Sequence, residues 1–131
     1  MNTLLSFEIA KLLKEKEFNK PIKQRYFIAE NIDSDRFPFL QEECALYNWN
    51  NYDDFSTSYY SAPTVAEVVM WLYEKHGVWI TVCVIGADGF GYWLHDKGRK
   101  RLNPDNQGGY WLSPTEAYEA AIEYTLKNLI K

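Results

Sequence analysis

The sequence predicts an α+β fold: three helices and a mostly antiparallel sheet of four or five strands, in the order α-β-β-α-β-β-(β)-α. Three observations lead there. Apolar residues recur at helical spacing in three stretches, each with its own start or stop chemistry. Between the second and third stretches, apolar residues alternate on either side of Gly86-Ala87-Asp88-Gly89, the pattern of a hairpin. Strands therefore come in runs between helices, which favours antiparallel pairing over the strict alternation of a parallel sheet.

Leu5, Ile9, Leu12, Leu13 and Lys16 trace one face of a helix over residues 4–17. Asn2 or Thr3 is placed to cap it, and Asn19-Lys20-Pro21 stops it. Residues 22–29 read as a first strand, residues 30–38 as a turn-rich stretch, and residues 44–49 as a second strand.

The second helix carries a stripe of Val65, Val68, Val69, Leu72, Tyr73 and His76. Thr64 and Glu67 are spaced as a capping box, Pro63 suits the first turn, and Gly77 supplies the left-handed residue that ends it. In the hairpin, residues 78–85 pair with 90–96 around a three-residue loop, Ala87-Asp88-Gly89, with Gly89 left-handed. Val78, Ile80, Val82 and Val84 then share an apolar face with Phe90, Tyr92 and Leu94, while Cys83 lies opposite Trp93 and Thr81 opposite His95. Tyr110-Trp111-Leu112 reads as a short strand. Ser113-Pro114-Thr115-Glu116 opens the last helix, whose apolar face is Tyr118, Ala121, Ile122, Leu126, Leu129 and Ile130.

The chain has 131 residues, enough for one domain spanning 1–131 with its own core. Its formal net charge of −4 gives no global field for a nucleic-acid partner. The first residues lack the basic and apolar regions of a signal peptide, and no apolar run approaches the roughly 18 residues of a membrane span. Cys44 and Cys83 stand far apart in no metal or redox spacing, which is expected of two reduced, buried thiols in the cytoplasm.

Residues 6–16, the run Ser61-Ala62-Pro63-Thr64 leading into Trp71-Leu72-Tyr73-Glu74-Lys75-His76, and Ser113-Pro114-Thr115-Glu116-Ala117-Tyr118-Glu119-Ala120 resemble a group of small, uncharacterised phage- or prophage-type proteins of gut bacteria. The likeness runs in order over nearly the whole chain. The group carries a glycine where its first helix ends, and this chain has Glu17 there. The shared residues are helix caps and packing faces, so the resemblance implies a fold and a phage-related, cytosolic setting, and it transfers no site.

Motifs for chemistry fail one by one. Neither His76 nor His95 has a second metal ligand at helical spacing, and His76 is explained by the negative end of its helix. Asp33-Ser34-Asp35 opens like a calcium loop, but Pro38 and Cys44 occupy positions that a loop of that kind needs for other residues. Cys83 sits mid-strand with no electropositive setting to activate it. Gly86 to Gly91 is followed by a strand where a phosphate loop needs a helix. No cofactor, metal or catalytic residue is therefore assigned.

Two features remain. Lys97, Arg99, Lys100 and Arg101 form the one dense basic run, read as a solvated loop in preference to a single-strand binding site. The chain also carries 5 Trp, 10 Tyr and 7 Phe, 17% of its residues. Residues 47–60 interleave aromatics with Asn and Asp, and Gly-Tyr-Trp-Leu occurs at both 91–94 and 109–112. These aromatics either fill the core of a small sheet or form a binding surface. Trp79, Trp93, His95, Trp49, Tyr52 and Trp111 are the candidate surface residues. Trp79, Thr81, Cys83, Ile85, Gly91, Trp93 and His95 share the hairpin's second face, which should be covered or should bind something.

The expected function is that of a cytosolic, phage-related accessory protein acting by protein interaction, through a protein partner or self-association, without nucleic acid or membrane. The alternative is a small-molecule or carbohydrate-binding domain using an aromatic surface, with weak hydrolytic activity through Trp93, His95 and Cys83.

Overall fold

The computed structural model describes residues 3–29, 39–41, 45–52, 57–86, 89–103 and 111–130. They form three α-helices and five strands, all strand pairs antiparallel, so the α+β class holds. The strands do not join in one sheet of four or five. They form a three-stranded sheet and a separate two-stranded one. The chain divides into two compact units, Leu4–Pro63 and, with Met1–Thr3, Thr64–Lys131.

The N-terminal unit begins with helix α1, Phe7–Glu15, shorter than the expected 4–17. Ser6, not Asn2 or Thr3, caps it: its hydroxyl accepts from the Ile9 N–H at 3.4 Å. Ile9, Ala10 and Leu13 are its buried residues, and Leu5 just before it is buried as well. The helix closes in a Schellman motif, with Phe18 N–H donating to the Leu13 carbonyl at 2.9 Å and Glu17 N–H to that of Lys14 at 3.2 Å. Phe18 and Leu13 are both fully buried, the apolar contact that accompanies this closure. The left-handed residue is Glu17, at φ 62°, where a side chain is strained.

Strand β1, Arg25–Ala29, is central, flanked by β2, Phe39–Gln41, and β3, Thr57–Ser61. The ladder starts at Arg25, not at residue 22, because Ile22 pairs alone with Tyr47. The strand expected at 44–49 is not formed by the described residues 45–49: Tyr47 makes that single bridge, and Trp49–Asn51 is a 3₁₀ turn. Cys44 and the calcium-like residues 33–35 lie outside the described residues. Two strands, β2 and β3, were not expected. Every residue of β2 is exposed, and β3 reads Thr-Ser-Tyr-Tyr-Ser, so neither carries the apolar alternation that marks a strand.

In the C-terminal unit, α2 spans Val65–His76 and is closed at both ends as its residues dictate. The Thr64 hydroxyl accepts from Glu67 N–H, and the Glu67 carboxylate from Thr64 N–H, completing the capping box. Thr64 is the cap, so Pro63 precedes the helix. Gly77 ends it at φ 71°. Trp71 is buried, whereas Tyr73 and His76, expected on the packed stripe, are exposed. Strands β4, Trp79–Ile85, and β5, Gly89–His95, form the hairpin, and α3, Pro114–Asn128, follows with Ser113 accepting from Glu116 N–H. Helix α3 packs on β4 and β5 and α2 on β4 and α3.

The hairpin's two faces have the expected membership, but the register differs by two residues. Gly89 pairs with Ile85 inside the ladder, and Gly86 is left-handed at φ 67°. Thr81 therefore faces Trp93, Cys83 faces Gly91, and His95 faces Trp79. In this register Gly91 leaves room for a side chain from β4. The Ile85 side chain folds across it, and a Cβ there would overlap the Ile85 methyl.

The outer edge of β5 is closed by the chain itself. Leu102 N–H donates to the Leu94 carbonyl at 2.7 Å, and Trp111 exchanges both backbone hydrogen bonds with Phe90. The expected strand at 110–112 is thus a single bridge at Trp111, with Tyr110 outside the described residues. Between these contacts, buried Asn103 behaves as a peptide group. Its Oδ1 accepts from Leu94 N–H at 2.8 Å, and its Nδ2 donates to the Tyr92 carbonyl at 3.3 Å. With this edge occupied, the hairpin stays two-stranded.

Two outcomes follow from these closures. Glu17→Gly should stabilise the protein by about 0.5–1 kcal/mol in urea denaturation, since glycine enters the left-handed region without a Cβ penalty. Asn103→Ala should cost about 2 kcal/mol, because it strands buried polar groups of β5.

Candidate functional site

Of the six candidate surface residues, two lie in the N-terminal unit. Trp49 is buried, and its indole Nε1 donates to the Ile22 carbonyl at 2.7 Å. Next to it, Asn50 is buried with both ends of its amide used, donating to the Phe18 carbonyl at 2.8 Å and accepting from Ser61 N–H at 2.9 Å. Tyr52 packs on Trp49 and edge-on to Tyr59. The centre of this aromatic group is occupied by the chain's own Arg25. Its guanidinium lies 4.2 Å from the Trp49 ring centroid and 4.4 Å from that of Tyr59, with Tyr52 at 5.9 Å. Each such contact contributes about 0.5–2 kcal/mol according to its burial. The cage around a cation is thus filled from within. Trp49 belongs to the core, and Tyr52 stays exposed at its rim.

The other four belong to the hairpin and divide by face. Trp111 sits on the packed face, its ring 5.3 Å from that of Tyr92, which also approaches Tyr124 of α3. Burial, and then the neighbouring Tyr124, push the Tyr92 phenol up to about 12. Trp93 lies on the second face beneath Arg101, whose guanidinium stands 3.7 Å from the ring centroid. The last cation of the basic run is therefore a cover for Trp93, not a solvated charge.

Trp79 and His95 are cross-strand partners at the open end of the second face, and there the surface sinks into a cleft of about 590 Å³. Met70 and Tyr73 of α2 with Trp79 supply its apolar lining; His95, Asp96, Lys97 and Arg99 supply the polar one. Trp79 meets Tyr73 edge-on, with ring centroids 5.3 Å apart. All three apolar residues keep much of their surface open: Met70 is 45% exposed, Trp79 40% and Tyr73 36%. Met70, Asp96, Lys97 and Arg99 were not among the candidates. Met70 and Tyr73, three residues apart on α2, share a face, a spacing visible in the sequence.

The turn after β5 fixes the cations. Arg99 N–H donates to the Asp96 carbonyl and Asp96 N–H to that of Lys100, both at 2.9 Å. Asp96 Oδ1 accepts from Lys100 N–H at 2.8 Å. Arg99 adopts φ 67°. The stem of Lys97 lies against Gly77, and its ammonium stands 5.5 Å from the Tyr73 centroid.

A hydrolytic pair is not assembled. Cys83 is a free, half-buried thiol, not the buried one expected. The observed register sets it four residues along β4 from the rung of His95, about 13 Å at the rise of a strand. Among the described residues no three His, Cys, Asp or Glu side chains are grouped to hold a metal ion, and no helix is long and apolar enough to cross a membrane. The chain matches no protein-family model, no curated protein and no solved structure.

His76, the last residue of α2, responds to pH against the expectation from its helix end. Its ring lies edge-on to Trp71 at 4.8 Å, and partial burial, followed by the charge of Lys75, holds its pKa below the ordinary 6.5. The unfolded chain then binds the extra proton more readily than the folded one. Stability from His76 should be complete above pH 6.5 and decline as pH falls toward the lowered folded value. An NMR titration should place the His76 midpoint below 6.5, and His76→Gln should flatten the stability profile in that window.

Proposed function

We propose that this protein is a non-catalytic binding module that holds a small molecule in the cleft beside Trp79 and His95. One observation carries the reading: a concave site in the size range of ligand pockets leaves the thioether and two aromatic rings of Met70, Trp79 and Tyr73 open. Side chains of this kind bury a ligand's apolar surface, and the polar groups beside them orient it. The separation of Cys83 from His95 supports binding over hydrolysis. A bacterial, phage-related accessory role in the cytoplasm is part of the proposal, supported by the resemblance of the helix starts.

A second reading, protein interaction, is favoured by Val84 and Leu112, apolar residues 70% and 83% exposed. Val84 pairs with Phe90, which bridges to Trp111 beside Leu112, so both belong to the hairpin end away from Trp79.

A fragment library screened by two-dimensional NMR separates the readings. Binders should shift the Trp79 indole and His95 resonances and lose their effect in Trp79→Ala. A protein whose spectrum no fragment perturbs at Trp79 would refute the binding role, and shifts gathered at Val84 and Leu112 would favour the second reading.

A further inference from the structure

We infer that the ligand of the cleft is an organic anion built on a planar ring, with the ring on Trp79 and Tyr73 and the negative group between Lys97 and Arg99. The inference rests on the proposed binding role and adds the ligand's chemistry.

The charge of the cleft runs against the charge of the protein. In a chain of net charge −4, the described residues of this lining carry Lys97 and Arg99 against a single carboxylate, Asp96. That carboxylate already accepts a backbone hydrogen bond from Lys100. Among the described residues neither Lys97 nor Arg99 forms an ion pair. The turn fixes the backbone that carries the two cations, since Arg99, at φ 67°, donates its N–H to the Asp96 carbonyl. Lys97 is held by Gly77 along its stem and Tyr73 at its tip. A guanidinium and an ammonium two residues apart on one turn suit a phosphate or a carboxylate.

The body of the ligand follows from what the lining lacks. A sugar needs side-chain amides, carboxylates or hydroxyls to match its own hydroxyls. Among the described residues no Asn, Gln, Glu, Ser or Thr lines the cleft, and Asp96, the one acid among them, is engaged. The apolar groups are instead a thioether, a phenol ring and an indole, which pack on a flat unsaturated ring. The carbohydrate alternative is therefore the weaker one for this site.

Four probes test the inference by calorimetry, with two-dimensional NMR reporting on the Trp79 indole: adenosine monophosphate, indole-3-acetate, adenosine and inorganic phosphate. The first two join ring and charge and tell phosphate from carboxylate; adenosine supplies a ring alone and phosphate a charge alone. At least one of the joined probes should bind about tenfold or more tightly than adenosine and than phosphate, and added salt should erode that margin. Lys97→Gln with Arg99→Gln, both at exposed positions, should abolish the margin, while resonances away from the cleft keep the pattern of the folded protein. Adenosine binding as tightly as the charged probes, or a margin that survives the double substitution, would overturn the anion assignment while leaving the binding role intact. The anion assignment falls equally, and the binding role again stands, if neutral fragments shift Trp79 and none of the four probes does. A cleft that no probe and no fragment occupies would overturn both.

Discussion

Neighbouring side chains on a strand point to opposite faces, and the pairing of Val82 with Tyr92 and of Trp79 with His95 turns that rule into the layout of the C-terminal unit. One face gathers Ile80, Tyr92 and Leu94, all buried. Its aromatic Tyr92 meets Tyr124 of α3. The other face cannot share that cover. It is treated piecemeal: Ile85 folds over Gly91 at one end, Arg101 lies over Trp93 in the middle, and Trp79 with His95 opens into the cleft. The cleft is what remains where the chain's own side chains stop covering an apolar surface.

The N-terminal unit solves a similar problem with a cation. Arg25 begins the central strand, and three aromatic rings gather around its guanidinium while its Nε donates to Gln41 at 2.8 Å. On the sheet's other face, Phe7 of α1 meets Tyr26 and Tyr60 edge-on, and Lys14 donates to the Tyr59 carbonyl at 2.8 Å. Aromatic abundance here serves packing, with charged tips satisfied at the margins of the rings. In the C-terminal unit the same residue types, with Lys97 and Arg99, line an open concavity. Composition alone does not distinguish these two uses.

What was legible in the sequence was whatever is decided locally. The capping box of Thr64 and Glu67, Gly77 at the end of α2, Ser113 before α3 and the membership of the hairpin faces all depend on residues within one or two turns of each other. The hairpin register was not legible, because Ile85 folding over Gly91 is a contact that either loop choice permits on paper. Strands β2 and β3 left no alternation to read, since β2 is three residues with Phe39 and Leu40 adjacent and β3 reads Thr-Ser-Tyr-Tyr-Ser. Trp79 and His95 were found as candidates from alternation along the strands. Lys97 and Arg99 were read as a solvated run, because only the turn at Asp96 brings them to the cleft.

Asn103 has a wider consequence. A two-stranded ribbon normally presents a row of free N–H and C=O groups, a template on which another chain can add a strand and start a fibril. Here one side of the ribbon is not a template. Leu102, the Asn103 amide and Trp111 already hold the backbone of β5 at Leu94, Tyr92 and Phe90. An incoming strand would have to displace a buried side chain before it gained its first hydrogen bond. The Asn103 amide thus completes, with Leu102 and Trp111, a guard over one edge of a seven-residue, aromatic-rich strand, and its loss would free the stretch at Tyr92 and Leu94 first.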